Sequence, residues 1–218
     1  GDFVGSAQSV PEGSIQWVKT LPDGGNIPSY QQDPYNTPLV EKVVSRVFST
    51  QGYFYIQESN RTSGIRVADS GMAAYLHPGD LITIYNGDVT NVDGERVINS
   101  YYTEYVSSGT AHATLGMGNK ALGGRSYNVL TSGPVGGSGL NNVGLLVRAW
   151  GKVTAVGDTY FYVDDGSGLN DGSGSTGVCI EGLISYLPDV NDYVAINGIS
   201  GLKTVSGNLF RVVRMASG

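Results

Sequence analysis

The sequence predicts an all-β fold of two tandem five-stranded barrels behind an extended leader. Three observations predict it: an internal repeat, period-two patterning, and a glycine-rich composition poor in charge. Gly is the commonest of the 218 residues at 33, Tyr reaches 14 and charged side chains make up only 15%, which suits short strands joined by tight turns rather than helices. A hydrophobic content of 40% argues against disorder and leaves apolar residues for two small cores.

The repeat sets the domain count at two. Gly52-Tyr53-Phe54-Tyr55-Ile56-Gln57-Glu58 is answered by Thr159-Tyr160-Phe161-Tyr162-Val163-Asp164-Asp165, so Tyr55 recurs as Tyr162 at an offset of 107. Ser63-Gly64-Ile65-Arg66-Val67 is answered by Thr176-Gly177-Val178-Cys179-Ile180 at an offset of 113, and the six extra residues fall in the loop-like run from Gly166 to Ser175. Pro78 to Gly87 and Val190 to Gly198 both read as turn, strand and Gly. Each copy then closes with a Gly turn and a last strand, Gly94 to Ile98 and Gly207 to Val213.

A long first strand precedes each aromatic strand, about Leu39 to Ser49 and Leu145 to Val156. In the second, Leu145, Val147, Ala149 and Val153 alternate with Leu146, Arg148, Trp150 and Lys152, giving one apolar and one mixed face. Short segments, Met72 to Leu76 and Glu181 to Leu187, stand between strands three and four, each suited to plug one end of a barrel. Long strand, aromatic hairpin, plug and two further strands is the order of an OB-fold, a partly open Greek-key barrel. The chain therefore divides into a leader at 1–36, a first OB-like barrel at 37–106, a Gly-rich connector at 107–142 with no acidic residue, and a second OB-like barrel at 143–218.

The runs Phe54-Tyr55-Ile56-Gln57-Glu58 with Ser63-Gly64-Ile65-Arg66-Val67, and Asp164-Asp165-Gly166-Ser167-Gly168 with Asp171-Gly172-Ser173-Gly174, resemble tandem OB-fold repeats in secreted proteins of environmental bacteria. Gln16-Trp17-Val18-Lys19-Thr20-Leu21-Pro22-Asp23-Gly24 looks like their lead-in, and Gly139 to Arg148 resembles the approach to their second repeat. The resemblance implies the fold more firmly than any activity, because OB barrels host many functions. The first copy lacks the Gly/Asp loop, so a function carried by that loop does not extend to it.

No catalytic constellation emerges. His77, His112 and Cys179 are the usual candidates for nucleophile and base, and they are dispersed, which also argues against zinc. Cys179 lies in a strand-like run and reads as a small packed side chain. Asp164, Asp165 and Asp171 flank a loop with Asn170, an arrangement that can hold calcium or can simply start turns. The reading is therefore of a non-enzyme with no cofactor apart from that candidate calcium.

Alternation turns Phe54, Ile56, Phe161 and Val163 inward and Tyr53, Tyr55, Tyr160 and Tyr162 to the other face. There the tyrosines can stack on bases or sugars, or else cover the barrel, pack on the connector or meet a neighbouring subunit. A net charge of -6 with no Lys/Arg run argues against nucleic acid. Carbohydrate stays open as a partner.

The longest apolar stretch, near Leu145 to Trp150, is too short to span a bilayer, so membrane insertion is not expected. A start at Gly1 and a composition rich in Gly, Ser, Thr, Asn and Tyr suggest an exported, extracellular or cell-surface protein. The leader carries Phe3, Val4, Val10, Ile15 and Trp17 among several prolines, and such a segment can add a strand to the edge of another copy or pack on its own barrel. The expectation is a structural or adhesive subunit, of which a pilus-like filament protomer assembled through its leader is one form. The alternative is a module for oligosaccharide or single-stranded nucleic acid.

Overall fold

Two barrels of the same strand order form along the chain. The computed structural model describes residues 10–27, 38–182 and 186–216. The first barrel begins with a one-turn helix α1 (Ile15–Val18) and a short strand β1 (Asn26–Ile27). Its five barrel strands follow: β2 (Leu39–Phe48), β3 (Tyr53–Gln57), β4 (Gly64–Ala68), β5 (Leu81–Val92) and β6 (Glu95–Ser107), with helix α2 (Ser70–Ala73) between β4 and β5. The sheet runs β5-β2-β3-β4-β6 and closes through β6 onto β5, with β4 and β6 parallel and β1 added to β5. A short β7 (Leu115–Gly116) precedes the second barrel, β8 (Leu146–Val156), β9 (Tyr160–Asp164), β10 (Val178–Gly182), β11 (Tyr193–Val205) and β12 (Asn208–Met215). Here β11 closes onto β8, and β10 and β12 are the parallel pair. This is the expected pair of OB-like barrels.

The repeat alignment is a structural one. Tyr55 stands opposite Arg66 and Tyr162 opposite Cys179 in the two aromatic hairpins. Each long first strand shifts register once against its aromatic partner, between Val44 and Arg46 and between Val153 and Ala155, which lets it curl around a small barrel. The residue at each shift is a hydroxyl: Ser45 Oγ donates to the Tyr55 carbonyl at 3.2 Å and Thr154 Oγ1 to the Tyr162 carbonyl at 3.4 Å.

Inward residues of alternating strands build both cores. Val44, Phe54, Ile56, Ile65, Val67, Ile82, Ile84 and Ile98 fill the first, and Val147, Ala149, Val153, Phe161, Val163, Val178, Ile180 and Val213 fill the second. Enclosing one such Phe or Ile stabilises the fold by roughly 1.5–3 kcal/mol. Ala73 and Leu76, around α2, plug the first barrel as expected. In the second, Leu187 packs on the core, while residues 183–185 lie outside the described residues.

The last strand of the first copy exceeds its expected length. β6 continues to Ser107 because β5 stays paired with it through Leu81. The connector is bound to both barrels. Asn128 Nδ2 and Thr131 Oγ1 donate to the Lys19 carbonyl at 3.0 and 2.7 Å, while Arg211 Nε donates to the Leu122 carbonyl at 3.1 Å.

The barrels meet where Gly64 and Gly144 lie back to back. A Cβ on Gly144 would sit 2.4 Å from the Gly64 carbonyl oxygen, and its φ of +93° already disfavours a side chain. Gly144→Ala is expected to lower the melting temperature by roughly 5–10 °C, corresponding to about 2–3 kcal/mol. Gly136→Ala, which has positive φ but open space around the added Cβ, isolates the strain contribution and should cost about 1 kcal/mol. Equal losses from the two substitutions in thermal melts would contradict close packing at the junction.

Candidate functional site

Strand pairing brings the repeat's outward tyrosines to very different places. Tyr55 is fully buried between the barrels in a cluster with Phe48, Leu146, Ile199 and Ala216. Its hydroxyl donates to Glu95 Oε2 at 2.6 Å. Tyr53 is half-buried, stacked on Phe48 at 4.7 Å between ring centroids, with the Arg66 guanidinium 3.7 Å above its ring. Tyr162 is buried against Cys179 and Val212 and donates to the Ser173 carbonyl at 2.7 Å. Tyr160 keeps an exposed ring. The stacking surface expected of the four tyrosines is therefore corrected: Tyr55 and Tyr162 offer no open face, because the other barrel covers one and the Gly/Asp loop the other.

Glu95 opens β6 and organises the junction. Besides Tyr55, its carboxylate accepts from the Leu202 backbone N–H at 2.7 Å and from Arg214 Nε at 3.2 Å. Arg214 also pairs with Glu181 and donates to the Leu202 carbonyl. Burial opposes the charge on Arg214, yet the Glu95 carboxylate, helped by Glu181, raises its pKa above the ordinary value. Burial and the Glu95 charge together raise that of Tyr55. Sequence reasoning missed Glu95; the one signal was a broken symmetry, since Gly94-Glu95 answers Gly207-Asn208 in the repeat.

The loop carboxylates serve their own turns. Asp164 Oδ1 accepts from the Gly168 N–H at 3.0 Å, Asp165 Oδ1 from Ser167 at 3.0 Å and Asp165 Oδ2 from Asn119 at 2.7 Å. Asp171 forms a buried ion pair with Arg211 at 2.9 Å. Among the described residues no group of three His, Cys, Asp or Glu is placed to hold a metal ion. Cys179 is buried, and burial pushes its thiol pKa up to about 12.

The leader divides. Phe3 and Val4 lie outside the described residues, Val10 is half-buried, and Ile15 with Val18 is fully buried in the first barrel's own core, against which Trp17 packs. Ser14 caps α1 by accepting from the Trp17 N–H at 3.1 Å, and Glu58 Oε1 accepts from the Ile15 N–H at 2.6 Å while its Oε2 pairs with Lys42. Of the two contacts that the apolar pattern left open for the leader, Ile15 and Trp17 make the one in cis, so they are not placed to bind another copy.

A second feature that sequence reasoning passed over is the open edge of β6. From Ser100 to Ser107 the strand pairs with β5 on one side, and no described residue pairs with the other. Tyr101, Tyr102, Tyr105 and Val106 are exposed there. Tyr102 stacks on Tyr85 at 5.3 Å and Tyr101 donates to Asp88, so the rings brace the ribbon from both faces. The signal was present as three tyrosines within five residues.

No family model matches the sequence, and no curated protein matches it. Among solved structures the p204 HINb domain is similar, at 12% identity and a TM-score of 0.34, with the match covering 81% of this chain and 92% of that one. The OB-like character of this chain rests on its strand order and closure.

Lys19, held at the junction, makes the fold sensitive to pH. Its ammonium donates to the Val143 carbonyl at 2.9 Å, and burial, partly offset by Glu95, lowers its pKa from 10.5 to about 8. Between those values the unfolded chain binds the proton and the folded chain does not, so this group's contribution to stability rises with pH there and is lost as pH falls through 8. In urea denaturation, the wild type minus Lys19→Met stability difference should increase by roughly 3 kcal/mol across that window. Parallel pH profiles would contradict the assignment.

Proposed function

We propose that the protein is an extracellular structural or adhesive subunit that assembles head to tail, with the segment ahead of α1 in one copy adding as a strand to the open edge of β6 in the next. The open edge carries this reading. An unpaired strand presents a row of backbone N–H and C=O groups ready to accept another strand, and its exposed tyrosines and valine supply apolar surface for alternate side chains of an incoming peptide. Residues 1–9, with Phe3 and Val4, are long enough for such a strand, at about 3.3 Å per residue. Two different surfaces in contact, repeated without closure, generate a filament.

The joined barrels support the same reading, since a stiff subunit transmits geometry along a polymer. The net charge of -6 opposes nucleic acid as a partner. No described helix is long and apolar enough to cross a membrane. Extracellular placement is supported by composition and by the resemblance of the repeats to secreted proteins.

Electron microscopy tests the proposal with three purified samples: the full chain, the chain lacking residues 1–9, and a Tyr102→Lys/Val106→Lys variant that places lysines on the open edge. Filaments from the full chain alone are expected. Filaments that persist in both altered chains, or dispersed particles in all three, would contradict it.

A further inference from the structure

The outer face of the second barrel carries a groove that neither the junction nor the open edge uses. Pairing sets Tyr193 of β11 beside Lys152 of β8, and Lys152 beside Asp164 of β9. Period-two alternation puts Trp150 on the face of Lys152. With Asp165 and Gly166 these residues line a groove of about 670 Å³. Gly151 also lines it, and a Cβ there would stand 2.2 Å from the Asp164 carbonyl oxygen, so only a glycine lets β8 lie this close to β9 at the groove.

Trp150 backs onto Gly116 of β7, where an added Cβ would lie 3.6 Å from the indole Cζ3, and the ring is 44% exposed. Tyr193, 81% exposed, also borders an adjoining hollow of about 310 Å³ lined by Tyr186, itself 78% exposed. Three aromatic rings thus mark a track along two hollows. Beyond the backbone ladder, no hydrogen bond, ion pair or ring contact joins the side chain of Trp150, Tyr193 or Lys152 to any described residue, so their apolar faces and the ammonium are open to a ligand.

We infer that this groove binds a neutral oligosaccharide. Pyranose rings present C–H faces that stack on indole and phenol, and their hydroxyls can donate to the Asp164 carboxylate and accept from the Lys152 ammonium. Two carboxylates against one ammonium leave the lining negative, which repels phosphorylated and sulfated chains. Spaced rings in a shallow, open groove fit an extended chain of sugars better than an enclosed small molecule. The inference is independent of assembly through β6.

A glycan array of neutral and acidic oligosaccharides, probed with the full chain, tests it, followed by calorimetric titration of the strongest neutral binder. The expected result is binding to a neutral glycan that weakens roughly tenfold or more in both Trp150→Ala and Tyr193→Ala, with melting temperatures kept, and that is unchanged in the Tyr102→Lys/Val106→Lys variant. Absence of binding to every neutral glycan, preference for acidic ones, or affinity that survives both aromatic substitutions would overturn it.

Discussion

The carboxylate of Glu95 is the point on which the two-barrel arrangement depends. Its two oxygens take a phenol hydroxyl from β3, a backbone N–H from β11 and a guanidinium from β12. Taking a carboxylate out of water is expensive, and attraction to Arg214 offsets that cost only when the remaining lone pairs are also satisfied. Here they are, by donors from both barrels. Removing one of those donors while the barrels stay joined would leave a buried charge poorly paired, a penalty of about 3–5 kcal/mol. The apolar cluster around Tyr55 and the glycine contact at Gly64 and Gly144 supply the shape, while Glu95 specifies which faces meet.

That arrangement gives the two copies of one supersecondary pattern different surroundings. In the first copy the outward tyrosine of the aromatic strand is consumed by the junction; in the second its counterpart is capped by the inserted loop, which Asp171 and Arg211 pin down. Among the described residues the surfaces left uncovered lie elsewhere: the edge of β6 on one barrel, and the Trp150 groove on the other. The proposed assembly and the proposed sugar binding therefore fall on separate faces.

The fold was legible because its determinants are local and repeated. Strand boundaries at Leu39 and Val156, the inward set of Phe54, Ile56, Phe161 and Val163, and the six-residue insertion all follow from period-two patterning and self-similarity. The junction was not legible, because alternation tells only that Tyr55 points away from its own core and is silent on what lies beyond. Ile15 and Trp17 illustrate the same limit, since an apolar leader reads alike whether it packs in cis or in trans. Glu95 follows the turn glycine Gly94 at the start of a strand, a place where, apart from the broken symmetry with Asn208, nothing in the sequence sets a carboxylate apart. The open edge escaped because β6 was expected to end near Ile98, whereas its partner β5 keeps it extended to Ser107.

If the junction joins the barrels into one cooperative unit, both must unfold together. The chain has two tryptophans, Trp17 on the first barrel and Trp150 on the second, so Trp150→Phe and Trp17→Phe give one fluorescent reporter per barrel. Urea denaturation followed through each reporter, with Glu95 intact, should give coincident midpoints and a single transition. Two separated transitions would show that the barrels fold as independent beads and would contradict the account.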